Sequence, residues 1–66
     1  MKAKTAKEIL RNESIPYWKL AKAMDMSESS VYRMLRDDEG NLSCENESSI
    51  LKAINTINIE RRTKDE

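Results

Sequence analysis

An apolar pattern that changes phase once is the feature of this sequence that most constrains its fold. Between Pro16 and Arg36, apolar residues recur at helical spacing, and the repeat breaks around Asp25–Ser27. The apolar positions are Leu20, Ala21, Met24, Met26, Val31, Met34 and Leu35. Apolar residues three and four positions apart indicate an amphipathic helix. The pattern therefore predicts two short helices packed against each other across a tight turn.

The turn and the start of the second helix have suitable residues. Pro16 suits the first turn of a helix, where its missing N–H group costs nothing. Asp25 is one of the few residues that tolerate a left-handed backbone. Ser27 is a favourable N-cap residue, and Glu28 follows it in the first turn, where the helix dipole favours negative charge.

The flanking segments are also predicted to be helical. We expect a first helix over about residues 4–11 and a fourth helix from about Cys44 to Asn55 or beyond, capped by Ser43. The predicted apolar face of the fourth helix consists of Ile50, Leu51, Ile54 and Ile57. Residues 57–60 also alternate as a short strand would, and residues 60–66 are charged and expected to form a frayed tail. The predicted fold is all-α, a single domain over residues 1–66 that forms a compact bundle of four to five helices.

The stretch from Tyr17 to Arg36 resembles the helix-turn-helix of the lambda repressor and Cro family of phage and bacterial regulators. Ala21 matches the small residue of the first motif helix, and Val31 matches the buried aliphatic of the recognition helix. Asp25 stands where the family usually has glycine. The resemblance implies a lambda-repressor-like bundle from a phage or another mobile element. It also implies a DNA-binding repressor that places residues 27–36 in the major groove of a palindromic operator.

Candidate DNA contacts follow from the outer face of the predicted helix pair. Base contacts are predicted for Glu28, Ser29, Tyr32 and Arg33, and phosphate contacts for Tyr17, Lys19, Lys22, Ser30 and Arg36. A bidentate arginine to guanine is the commonest specific contact, so Arg33 is the first candidate reader. For Glu28 the alternative to a base contact is a first-turn acid that stabilises the helix dipole. For Tyr32 it is a side chain half-buried against a neighbouring helix. Each alternative has the same weight as the DNA contact. Trp18 is assigned neither to packing nor to DNA.

Composition excludes other classes of site. The 66 residues include one cysteine and no histidine, which argues against a disulfide framework and a structural metal. We expect no cofactor, no small-molecule ligand and no enzyme activity, since no nucleophile stands beside an evident base. The segment MKAKTAKEIL lacks a hydrophobic signal core, and no apolar run has membrane-spanning length. A cytoplasmic protein with no membrane partner is expected.

Charge is distributed unevenly along the chain. The net charge is zero, but residues 1–36 carry a net charge of +4 and residues 37–66 a net charge of −4. This asymmetry suits a protein that presents only one face to DNA. Asp37, Asp38 and Glu39 follow the predicted recognition helix, where relatives commonly have polar or basic residues. These carboxylates would repel phosphates.

Three functions remain open at this point. The first is a Cro-like regulator that binds double-stranded DNA and forms a homodimer at least when bound, since short chains often gain stability by association. The alternative is a helix-turn-helix scaffold reused for protein interaction or inhibition through its acidic face. A third is an accessory protein that bends DNA.

Overall fold

The computed structural model describes residues 1–64, which form four α-helices. They are α1 (Ala3–Asn12), α2 (Tyr17–Ala23), α3 (Glu28–Met34) and α4 (Cys44–Lys64). The described residues contain no strand, only an isolated antiparallel bridge between Lys2 and Asn41. The predicted all-α class is therefore confirmed. The first three helices differ from their predicted bounds by one or two residues.

The C-terminal third of the chain differs most from the prediction. Residues 57–60 are helical, so the alternative of a short strand is wrong. The helix continues to Lys64, whereas Asp65 and Glu66, which belong to the predicted frayed tail, lie outside the described residues. Fraying of this end stays a prediction. At 21 residues, α4 is long enough to pass both α2 and the end of α1.

All four helices contribute to one hydrophobic core. Its buried members are Ala3, Ala6, Leu10, Ile15, Leu20, Ala21, Val31, Leu35, Ile50, Ala53, Ile54 and Ile57. Met24, Met26 and Met34, which were predicted as apolar positions of the helix pair, pack against the core and are partly buried. Leu51 is 44% exposed, so its predicted place on the apolar face is wrong. The buried stripe of α4 uses positions i, i+3, i+4 and i+7 from Ile50, and Ala53 takes the place expected for Leu51.

Helices α1 and α2 end in the same way, without glycine. After α1, the N–H of Ile15 donates to the carbonyl of Leu10 at 2.8 Å, and Ser14 has a φ of 56°. After α2, the N–H of Met26 donates to the carbonyl of Ala21 at 3.0 Å, and Asp25 has a φ of 55°. This is the Schellman arrangement, which reverses the chain through one left-handed residue. The left-handed conformation predicted for Asp25 is confirmed, and Ser14 is a second one that the sequence did not reveal.

Ser14→Gly is expected to stabilise the protein by about 0.5–1 kcal/mol, because glycine adopts the left-handed conformation without a Cβ penalty. The measurement is the urea midpoint of unfolding, followed by circular dichroism. Ser14→Ala is the control, since it keeps the Cβ and should bring no gain. An equal gain in both variants would show that backbone strain at Ser14 is not the cause.

The two ends of α4 hold the N-terminal part of the fold. Near its start, the Glu47 carboxylate accepts a hydrogen bond from the Met1 ammonium group at 3.0 Å. This bond gives Glu47, a charged residue in the first turns of α4, a partner within the protein. Near its end, the Arg61 guanidinium donates to the carbonyl oxygens of Glu13 and Ser14. Those carbonyls belong to the turn after α1, so α4 fixes the entry into α2.

The loop between α3 and α4 caps the start of α1. Helix α1 has no side-chain cap. Instead, the N–H of Ala3 donates to the carbonyl of Gly40 at 2.9 Å, and that of Lys4 to the carbonyl of Asp38 at 3.1 Å. At Gly40, a Cβ atom would lie 3.2 Å from the carbonyl oxygen of Asp37, so glycine permits this close approach. The acidic loop is therefore folded back onto α1.

Candidate nucleic-acid interface

Helix α3 is fixed by a cap at its start and by an apolar stripe along its length. The Ser27 hydroxyl accepts a hydrogen bond from the N–H of Ser30 at 3.2 Å, which confirms Ser27 as the N-cap. The hydroxyls of Ser27 and Ser30 also share a hydrogen bond of 2.8 Å. Val31 and Leu35 are fully buried. The cap and the buried stripe together determine which face of α3 is exposed.

The exposed face of α3 carries all four predicted base-contact residues. Glu28, Ser29, Tyr32 and Arg33 are exposed, whereas Ser30, predicted to contact phosphate, is only partly so. The Ser30 hydroxyl is already hydrogen-bonded to the Ser27 hydroxyl, so a phosphate that contacts Ser30 would have to share this hydroxyl with Ser27. The helix ends at Met34. The predicted helix of residues 27–36 was therefore too long, and Arg36 lies just after α3.

Tyr17 and Tyr32 are brought together across the helix pair. Their ring centroids are 4.6 Å apart and their planes are inclined by 56°. A tilted aromatic pair of this kind contributes about 0.5–1.5 kcal/mol beyond its buried area. Tyr32 nevertheless remains 56% exposed. The prediction that Tyr32 is half-buried against a neighbouring helix is confirmed, since one side of its ring packs on α2, whereas a DNA contact by this residue stays a prediction.

A cleft of about 410 Å³ opens beside this tyrosine pair. It is lined by Lys7, Tyr17, Tyr32, Arg33, Leu35 and Arg36. Three cationic side chains from two different parts of the chain therefore meet two aromatic rings. Lys7 was not among the predicted contacts. Nothing in the sequence pattern places α1 beside α3, so only the tertiary fold identifies this lysine.

The predicted phosphate contacts fall into two groups. Tyr17 and Arg36 line the cleft beside α3. Lys19 and Lys22 instead line a groove of about 400 Å³ between α2 and α4, together with Trp18 and Glu60. Trp18 is 56% exposed and lies at that groove. The described structure therefore places Lys7, Arg33 and Arg36 at the cleft next to α3, and Lys19 and Lys22 at a separate groove along α2.

Two of the three carboxylates in the acidic loop form exposed ion pairs with lysines at the start of the chain. Lys2 pairs with Glu39 at 2.9 Å, and Lys7 pairs with Asp38 at 2.5 Å. The Asp37 carboxylate accepts a hydrogen bond from the N–H of Glu39 at 3.2 Å, within the turn itself. All three carboxylates thus have donors from the protein. The loop repels an approaching phosphate less than its sequence suggests.

The pair between Lys7 and Asp38 shifts the pKa of both groups. The hydrogen bond from the Lys7 ammonium lowers the pKa of Asp38 below its ordinary value of 3.8. The same bond raises the pKa of Lys7 above 10.5, with smaller contributions from the charges of Tyr17 and Asp37. Both charged forms are favoured near neutral pH. Lys7 is therefore a cation held in place by an internal anion.

Asp38→Asn is expected to lower stability slightly at about pH 6 and much less at about pH 2. The native pKa of Asp38 lies below the unfolded value, so the pair stabilises the fold above about pH 3.8 and loses this contribution as the pH falls through the native pKa. The measurement is the difference in urea midpoint between the variant and the parent protein across this range. In a Lys7→Met background most of that difference should disappear. An equal difference at both pH values would contradict the pairing.

No helix in the part of the chain that the structure describes combines the length and the apolar content needed to cross a membrane. Neither a protein-family model, nor a curated protein, nor a solved structure matches this chain.

Proposed function

We propose that α2 and α3 form a helix-turn-helix and that the protein is a Cro-like, sequence-specific DNA-binding regulator. In this proposal α3 enters the major groove of a palindromic operator. Its N-terminal end then lies closest to the base edges, as in other helix-turn-helix proteins. The observation that carries the proposal is the exposed polar face of α3, held rigidly on a short helix pair beside a cationic cleft.

Local geometry supports the proposed motif. The chain leaves α2 through a left-handed residue, Asp25, and enters α3 through a side-chain cap, Ser27. Buried Ala21 allows the two helices to approach closely, and α2 also packs against α4. Helix α2 thus has packing partners in both α3 and α4, which favours a fixed presentation of α3. Rigid presentation favours specific recognition because little entropy is lost on binding.

The distribution of roles follows the position of each side chain. Arg33 and Ser29 lie one helical turn apart on the exposed face of α3, and Glu28 and Tyr32 form the adjacent row. These four are proposed to contact bases. Phosphate contacts are proposed for the cations and hydroxyls around them, namely Tyr17, Lys19, Lys22, Ser30 and Arg36. Such contacts position the protein without reading sequence.

The protein-interaction alternative needs an acidic surface that is free to bind. Its support was the zero net charge, the acidic C-terminal half of the chain and the loop of residues 37–39, and all three carboxylates of that loop have internal donors. That pairing favours the DNA proposal. DNA bending without regulation would use the same surface, and bending would be visible as an anomalous mobility that depends on where the site lies in the fragment.

The proposal is tested by selection from a pool of duplexes with a randomised central segment, followed by mobility shift and footprinting over a range of salt concentrations. The expected result is a palindromic site whose half-sites are about 34 Å apart, protected in a salt-dependent manner. Sedimentation at micromolar concentration, with and without the selected duplex, should show two chains on the site. No enrichment and no protection at low salt, with circular dichroism showing an intact fold, would disprove the proposal.

A further inference from the structure

We propose that Lys7 is an additional phosphate contact and that Asp38 competes with DNA for it. The inference rests on the proposed DNA-binding function and deepens it. Lys7 is the one α1 residue that lines the cleft formed by Tyr17, Tyr32, Arg33, Leu35 and Arg36. Its ammonium group is bonded to Asp38, which lies just beyond Arg36 in the loop after α3.

The position of Lys7 suits a phosphate of the strand that passes α3. Arg33 and Arg36 reach the cleft from α3 and the residues just after it and Lys7 from α1, so an anion in the cleft meets cations from two parts of the chain. Lys7 retains 30% of its side-chain exposure in the pair. A lysine ammonium on a flexible stem can turn from Asp38 to a phosphate without moving the backbone.

The Asp38 carboxylate is a competitor that the polyanion can displace. It is 58% exposed, and an exposed ion pair is screened by water and salt. A DNA phosphate that takes its place releases condensed counterions, which a carboxylate of the same chain does not do. DNA binding thus exchanges an internal pair for an external one. The internal pair lowers affinity for every duplex and leaves the base contacts to decide which sequence is bound.

The neighbouring pair provides an internal comparison. Lys2 and Glu39 form a pair from the same two segments, with 53% and 71% side-chain exposure. Lys2 is not among the residues that line the cleft. Glu39→Gln therefore changes the charge of the loop by the same amount as Asp38→Asn but releases a lysine outside the cleft. The backbone carbonyl of Asp38, which caps α1, is present in both variants.

The test compares duplex binding of the parent protein, Asp38→Asn and Glu39→Gln by mobility shift on the same selected duplex and on an unrelated duplex of equal length. Asp38→Asn should bind both duplexes about 3- to 10-fold more tightly at low salt, with a salt slope steeper by about one unit. Glu39→Gln should change affinity by less than about 2-fold. In a Lys7→Met background, Asp38→Asn should have no effect, and Lys7→Met alone should not strengthen binding.

The outcomes separate this inference from the proposed function. If the parent protein binds and Asp38→Asn gains no more than Glu39→Gln, only the competition by Asp38 is disproved. A gain that persists in the Lys7→Met background likewise disproves it, because the effect would then be one of overall charge. If neither the parent protein nor Asp38→Asn binds any duplex while both are folded, the proposed function fails and the inference fails with it.

Discussion

Ile50→Ala is expected to destabilise the protein by about 2–5 kcal/mol, whereas Leu51→Ala, one residue further along α4, should cost less than about 1 kcal/mol. Ile50 is fully buried in the core shared by all four helices. Removing its side chain loses the transfer free energy of three carbons and leaves a cavity that the surrounding helices cannot close completely. Leu51 is 44% exposed, so much of its side chain contacts water in either state.

The size of the effect matters because the whole protein is small. At about 0.05–0.15 kcal/mol per residue, a chain of 66 residues has a total stability of only about 3–10 kcal/mol. Ile50→Ala should therefore leave a measurable fraction of the chain unfolded at room temperature. The measurement is urea unfolding of both variants at one protein concentration, since association would raise the apparent stability.

The two variants form a matched pair. Both replace a branched aliphatic by alanine in the same helix, so the gain in helix propensity acts in the same direction in each. Equal losses of stability would mean that Leu51 is as buried as Ile50, for instance through a second chain packed on α4. A concentration-dependent loss in Leu51→Ala alone would identify such an interface directly.

Features set by local chemistry were predictable from the sequence. Ser27 and Ser43 were identified as N-caps, and both accept the expected backbone hydrogen bonds, from Ser30 and Asn46. Asp25 was identified as left-handed because few residues tolerate that conformation. In each case the deciding interaction spans three residues or fewer, so the local sequence contains all the information.

Features set by tertiary contacts were not predictable. Leu51 was assigned to the apolar face because it is an apolar neighbour of Ile50, although a buried stripe is narrower than two adjacent positions. The left-handed conformation of Ser14 accompanies the contact of Arg61 with the turn, which joins residues 47 positions apart. The Lys7–Asp38 pair joins residues 31 positions apart. No periodicity within one helix indicates that pair, so the sequence suggested three unpaired carboxylates where the structure pairs two of them with lysines.

Arg33→Ala should weaken binding of the selected duplex by about 1–3 kcal/mol and relax the preference at one base pair of each half-site. Arg33 is exposed in the last turn of α3, so its replacement should leave the core and the unfolding midpoint unchanged. Its guanidinium has two parallel donors for the O6 and N7 atoms of guanine, and alanine cannot replace them. The measurement is mobility shift on the selected duplex and on three variants that carry the other bases at the affected position.

Two control variants separate the recognition of a base by Arg33 from electrostatic attraction to the DNA phosphates. Lys22→Ala should weaken binding to all duplexes alike and reduce the salt slope by about one unit. Arg62→Ala removes the same charge and the same type of side chain from an exposed position of α4. It should not alter the preference for any base. If Arg33→Ala and Arg62→Ala weaken every duplex to the same extent, Arg33 contributes charge alone, and recognition must depend on Glu28, Ser29 and Tyr32.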